Sequence, residues 1–297
     1  MESKKNLFEE LQEKKQKLRS FAKKAFDQGW IAQADYEAIA AKIDNDSLTI
    51  GVIGQMKCGK STFLNAFVFE DDVLPAATTP MTASLSVITY GERKELEAEF
   101  YTKDEWEELK MQASRNIADV ENDPVELSKV KAAKELIEKS GALGMAICSL
   151  LGTKKKDNLG NLVEYVGADG KFVSITKSVR IYYPTEWLKG VEIVDTPGFN
   201  DPVVSREERT KEFLQKADVV LLLLYAGRAF DATDRDIVFE HVRSVGVGKI
   251  LIGVNKYDLC YAEGETEEEI TNNVAEEIKK ACREYRDSLV SELLRNE

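Results

Sequence analysis

Apolar residues recur along this chain in two rhythms. Leu7, Phe8, Leu11, Leu18, Phe21, Ala22, Ala25 and Phe26 fall at three-to-four spacing. That period predicts a helix over residues 3–28, stopped by Gly29. Tyr36, Ile39, Ala40 and Ile43 predict a second helix over about 33–44. From residue 48 the rhythm changes to short unbroken apolar runs at 48–53, 191–194, 219–225 and 250–254. Such runs predict strands, the last two covered on both faces. Residues 83–90, 92–102 and 172–183 add three more strand candidates, and helices are expected at about 205–216, 234–245 and 267–295. Strand–helix alternation with doubly covered strands predicts a three-layer α/β domain with a mostly parallel central sheet.

Between these parts, residues 103–151 read as helical and charged, with breaks near Asp123-Pro124 and Gly141. The segment 142–151 is apolar all round but too short to cross a bilayer, so a buried helix is expected there. Residues 152–170 read as loop and hairpin. The resulting organisation is a helical extension over 1–46 and a nucleotide-binding domain over 47–297. A mainly helical insertion occupies about 96–174. Long inserted segments of this kind form structure of their own and often carry partner contacts.

The run 48–53 feeds into Gly54-Gln55-Met56-Lys57-Cys58-Gly59-Lys60-Ser61, and a helical pattern beginning at Thr62 follows. This is G-x-x-x-x-G-K-[ST] in the strand–loop–helix setting that the motif requires. Gly54 and Gly59 permit a tight loop, and its N–H groups with the helix N-terminus favour a bound phosphate. Lys60 would reach the β- and γ-phosphates, and the Ser61 hydroxyl would ligate Mg²⁺. Asp195 ends the apolar run 191–194 in D-T-P-G, at a strand's carboxyl end, where ligands gather in open α/β sheets. Its carboxylate would hold Mg²⁺ through a water, and the Gly198 N–H would bond the γ-phosphate.

Asn255-Lys256-Tyr257-Asp258 ends the run 250–254. A carboxylate at Asp258 can accept from both N1–H and the exocyclic amine of guanine, a donor pair that adenine lacks. Asn255 can tie the base site to the phosphate loop, and the Lys256 stem can pack along the base. The expected substrate is therefore GTP, giving GDP and phosphate. A switch needs a threonine between the phosphate loop and D-T-P-G, and Thr78, Thr79 and Thr82 are all candidates.

Composition narrows the reading at a few points. A net charge of −12 and the lack of an aromatic–basic patch weigh against nucleic acid as the main partner. Four scattered cysteines read as free thiols of a reducing cytosol, and the single histidine, His241, disfavours a zinc site. The charged N-terminus lacks a signal peptide's apolar core, so a cytoplasmic location is expected, with peripheral membrane contact as an extension of it. Basic residues outnumber acids eight to three between positions 4 and 24. Such a helix can lie on a membrane or dock on a partner, although an ordinary packed helix with a solvated face explains it as well.

Taken together, G-Q-M-K-C-G-K-S, D-T-P-G and N-K-Y-D resemble a translation-factor-class GTPase domain. The finer pattern is similar to the dynamin superfamily, especially its bacterial dynamin-like members. Leu74-Pro75 followed after six residues by Thr82 carries that resemblance, as do Tyr183-Pro184-x-x-Trp187-Leu188 leading into D-T-P-G and the helices before the first strand. It covers residues 47–95 and 175–260. The resemblance picks Thr82 as the switch threonine and Mg²⁺ ligand. It implies a homodimer of GTPase domains, with Arg228 or Asp231 acting across the interface, and a membrane surface as partner of the full-length protein. It also implies that this chain is a piece of a longer protein, lacking the last strand with its guanine-capping loop.

The phosphate loop departs from eukaryotic dynamins, where glutamine and serine stand at the positions of Met56 and Lys57. Met56 cannot orient a water, and the Lys57 ammonium is expected to replace the monovalent cation that such a serine helps bind. Turnover should then be the same in choline and potassium buffer; strong activation by potassium would refute the substitution. The functional expectation is a membrane-associated, oligomerising GTPase. Its rivals are a slow GTP-dependent switch recruiting a partner through residues 96–174 and a GTPase of the ribosome-assembly type.

Overall fold

The structure, a computed structural model, describes residues 2–44, 48–55, 57–75, 85–196, 214, 217–226, 230–238, 249–260 and 266–295. It divides into two compact units, 1–47 and 48–297. In the first, helices α1 (Glu2–Asp27) and α2 (Gln33–Asp44) form a hairpin turned at Gly29, whose φ is +71°. Phe26 stacks on Tyr36 across it at 5.1 Å, and Ala22 and Ala25 are buried beneath. Leu18, Phe21 and Trp30 are exposed.

The second unit begins with β1 (Leu48–Gly54), the phosphate loop and α3 (Lys60–Leu64), which runs on into a π-helical turn at Asn65–Phe69. After β2 (Leu85–Tyr90) and β3 (Glu95–Phe100) come α4 (Lys103–Ser114), α5 (Pro124–Ser140) and α6 (Ile147–Leu150). Next are β4 (Lys154–Asn158), α7 (Val163–Val166), β5 (Thr176–Tyr183) and β6 (Val191–Asp195). The chain closes with β7 (Val219–Tyr225), α8 (Ala232–Asp236), β8 (Ile250–Asn255) and α9 (Glu267–Arg295).

These strands form one eight-stranded sheet in the order β4-β3-β5-β2-β6-β1-β7-β8. Four of its pairs are parallel (β1 with β6 and β7, β7 with β8, β2 with β5) and three antiparallel. The phosphate-loop strand β1 sits between β6 and β7, so Asp195 and Tyr225 finish at the same sheet end as Gly54. Alternate side chains of β7 feed two cores, as the strand period of two requires. Val220, Leu222 and Leu224 join Leu214, Phe230 and Ile237 on one face, with Ile278 and Ala281 of α9 packed on them. Leu223 joins the larger core on the other face, with Val52, Leu64 and Ile193. The predicted α/β layering with a mostly parallel sheet is the fold observed.

Three local expectations are corrected. The segment 142–151 is not a buried helix: Gly144, at φ +53° and ψ −134°, breaks it into a 3-10 stretch and the one-turn α6. Met145 at its tip is 94% exposed, while Leu143 and Leu151 are buried. β8 is not covered on both faces, because it pairs with β7 at the sheet edge, and Leu251 and Ile252 are exposed. Finally, residues 152–170 do not form a loop and local hairpin: residues 154–158 are a strand of the main sheet, and α7 follows. Lys154-Lys155-Lys156-Asp157-Asn158 offers no apolar pattern, but it pairs with β3 at the opposite edge. Its lysines reach Glu97, Glu99 and Asp157, and charge of this kind guards an open sheet edge against further pairing. Residues 96–174 thus combine helices with strands of the main sheet. The helices expected at 205–216 and 234–245 fall largely outside the described residues.

Candidate functional site

The carboxyl ends of β1, β6, β7 and β8 converge on the phosphate loop. Gly54 leaves β1 at φ +152°, and a Cβ there would collide with the carbonyl oxygen of Leu223 and with Cys58 Sγ. Gly59 caps α3 at φ +95°, ψ +25°, where a Cβ would overlap Asn255 Nδ2. Both positions therefore need glycine on two counts, backbone conformation and space. Lys60 Nζ donates to the Gly54 carbonyl at 2.8 Å and to the Gln55 carbonyl at 3.1 Å. The ammonium thus lies across the loop's entrance. Ser61 is half-buried in the first turn of α3 and Thr62 is exposed.

Opposite the loop, Asp195 ends β6 in register with Val52. Thr196 fixes the chain beyond it, donating from both its N–H (3.3 Å) and Oγ1 (3.0 Å) to the Val52 carbonyl. Asp195 Oδ1 is buried with no hydrogen-bond partner among the described residues. Burial pushes this carboxyl up to about 6, partly offset by the positive charge of Lys60. A buried acceptor without a donor, close to the phosphate loop, fits a divalent cation or one of its waters. Among the described residues no three His, Cys, Asp or Glu side chains cluster to cage a metal.

From β8, Asn255 Nδ2 donates to the carbonyl of Cys58 at 2.9 Å and, more weakly, to that of Gly59 at 3.4 Å. The base-side and phosphate-side loops are therefore joined through one amide. Lys256 follows at φ +56°, its Nζ 5.4 Å from the centroid of the Tyr225 ring. Asp258 is exposed in the short turn Tyr257–Cys260. Cys58 is buried, and burial pushes its thiol up despite nearby Lys60, which disfavours a reactive thiolate. Lys57 is exposed at φ +63°. Met56, Thr82, Gly198 and Arg228 lie outside the described residues.

The sequence model of the Dynamin family matches residues 50–258, which span the phosphate loop, Asp195 and Asn255 to Asp258. The chain belongs to the dynamin family. Members of that family are GTPases. Among curated relatives, Dynamin-like protein 1 of Campylobacter jejuni is 28% identical over 254 residues, covering 85% of this chain and 33% of that protein. Dynamin-like protein A of Bacillus subtilis is 26% identical over 263 residues, 80% of this chain and 21% of the relative. The chain thus spans a third or less of the length of these two dynamin-like proteins. A solved structure, described as an oligomerised bacterial dynamin pair providing a mechanism for the long range sensing and tethering of membranes, superposes with a TM-score of 0.63. It is 25% identical, and the match covers 96% of this chain and 36% of that one.

Within this dynamin-family site, two polar side chains carry roles that no motif announced. Asn65, buried in the π-helical turn after α3, accepts from the N–H groups of Val73 (3.2 Å) and Leu74 (2.7 Å) and donates to the Leu74 carbonyl (2.9 Å). It thereby pins Leu74-Pro75, from which the chain leads to Thr82. A lone polar residue within the apolar pattern of Leu64, Phe67 and Val68 was the available signal. The second is Gln55, whose Nε2 donates to Asp231 Oδ1 at 2.6 Å. Their separation of 176 positions left no signal in the sequence. Asp231, expected to act across a dimer interface, here bonds the phosphate loop of its own chain.

Proposed function

We propose that this chain binds GTP with Mg²⁺ and hydrolyses it to GDP and phosphate, and that the protein it belongs to couples the reaction to a membrane surface through dimerising GTPase domains. The single observation that carries the nucleotide reading is the Asn255 bridge, which ties a guanine-reading turn to a phosphate loop. Lys60 and Ser61 would face the phosphates, Thr82 and Gly198 would close over the γ-phosphate, and Thr82, Ser61 and Asp195 would hold the metal. Bound Mg²⁺ would supply charge neutralisation at the β- and γ-oxygens. Lys256 would lie along the base and Asp258 would accept its two N–H donors. Phosphoryl transfer asks mainly for positioning and neutralised charge, which these groups can provide without a covalent intermediate.

The membrane part rests on the description of the matched solved structure as a bacterial dynamin pair that senses and tethers membranes. Among the described residues no helix is long and apolar enough to cross a membrane. The test uses the full-length protein, measuring GTP turnover with and without anionic vesicles over two decades of protein concentration. The proposal expects co-sedimentation with the vesicles and specific activity that rises with concentration, Arg228 being the residue to delete from the dimer interface. Flat specific activity without co-sedimentation would favour the slow recruiting switch instead.

A further inference from the structure

We propose that Asp231 and Asp234 are positioning residues that act through the Gln55 amide to hold the phosphate loop ready for its ligand. The proposal rests on the GTP reading above and adds a support for the loop that lies outside the nucleotide motifs.

Gln55 is the second residue of the loop. Its backbone carbonyl accepts from Lys60 Nζ, so any shift of Gln55 also moves the ammonium that would meet the phosphates. Its side chain points to the turn between β7 and α8. There Asp231 Oδ1 accepts from Gln55 Nε2 at 2.6 Å and from the Asp234 N–H at 3.1 Å, so one oxygen both caps α8 and anchors the loop. The Gln55 amide and the backbone N–H groups of Asp231 and Phe230 lie near enough to the Asp234 carboxylate to favour its charged form. Asp234 is 2% exposed, and its Oδ1 has no partner among the described residues. Burial, with the charge of Asp231 adding to it, pushes the Asp234 carboxyl up, and the Gln55 amide opposes this. A primary amide with two N–H donors suits this pair of acceptors, whereas a carboxylate in its place would repel both.

The anchor is tied into the core through Phe230. Phe230 adopts φ +62° and is buried in the core formed by Leu222, Leu224 and Ile237. A non-glycine residue keeps that conformation only where packing enforces it. The loop is therefore braced, through Asp231, against the packed Phe230 before any nucleotide arrives. A braced loop spares the ligand the cost of ordering it, which appears as affinity.

The experiment titrates the protein with N-methylanthraniloyl-GTP in Mg²⁺ buffer and records the melting temperature of each variant without nucleotide. Gln55→Glu should weaken binding about 10-fold or more, since a charge-assisted hydrogen bond is lost and repulsion added. Combining it with Asp231→Asn and Asp234→Asn removes both like charges, leaves an amide oxygen at position 231 to keep the helix cap and lets the two amides offer N–H donors to the carboxylate at position 55. That triple variant should return to within about 3-fold of the starting affinity. If Gln55→Glu does not fold, Gln55→Ala replaces it, with a loss of about 3-fold or more expected. A single variant that melts lower but binds like the parent would overturn the proposal, and so would a well-folded triple variant without recovery. If the parent protein shows no Mg²⁺-dependent binding of the probe, the GTP reading beneath the proposal falls first, and the same titration reveals it.

Discussion

Lys60→Ala is expected to lower the rate of GTP hydrolysis about 10²–10³-fold, the scale seen when one preorganised electrostatic donor is removed from an active site. Two observations set the size of the effect. Lys60 Nζ bonds the carbonyls of Gly54 and Gln55, so the ammonium already lies where phosphate oxygens would meet the loop. It also lowers the Asp195 carboxyl against the effect of burial, so its removal would leave that buried group without its one named charge of opposite sign. Alanine is the strongest helix former, so the start of α3 should survive the change. Single-turnover hydrolysis, with circular dichroism to check folding, measures the effect. A loss of less than about tenfold would mean that charge neutralisation comes from elsewhere.

Asp258→Asn is expected to exchange the preferred base. Guanine offers two adjacent donors, N1–H and the 2-amino group, and a carboxylate can accept both. Asparagine offers one acceptor and one donor, which matches xanthine, whose C2 bears a carbonyl. Affinity for GTP should fall about 10²-fold or more, and xanthosine triphosphate should gain by a comparable factor. The side chain is exposed in the turn after β8, so the substitution should leave stability nearly unchanged. Competition between the two nucleotides, run on parent and variant together, reads the exchange. Equal loss for both would place Asp258 outside the base contact.

What could be read in advance divides along physical lines. The phosphate loop, the β7 run and the helices α1 and α2 were legible because their signals are local: a glycine pattern between a strand and a helix, an unbroken apolar run, a 3.6-residue period. β4 was illegible for the opposite reason. Three lysines followed by aspartate and asparagine have no strand character of their own, and only pairing with β3 makes them one. The segment 142–151 misled because an apolar run states an affinity for cover but not its shape, and Gly144 decided the shape. β8 has the same run-type pattern as β7, yet its place at the sheet edge leaves Leu251 and Ile252 exposed. Position in the sheet is a tertiary property that no window on the sequence contains. The Gln55 link to Asp231 is of the same kind, made when the ends of two strands distant in sequence meet at the same end of the sheet.

The most direct test of the account is a calorimetric titration of the protein with GTP and, separately, with ATP in Mg²⁺ buffer. A carboxylate placed to accept both guanine donors should favour GTP by about 10³-fold or more. Comparable heats and affinities for the two nucleotides would contradict the assignment of Asn255, Lys256 and Asp258 to the base.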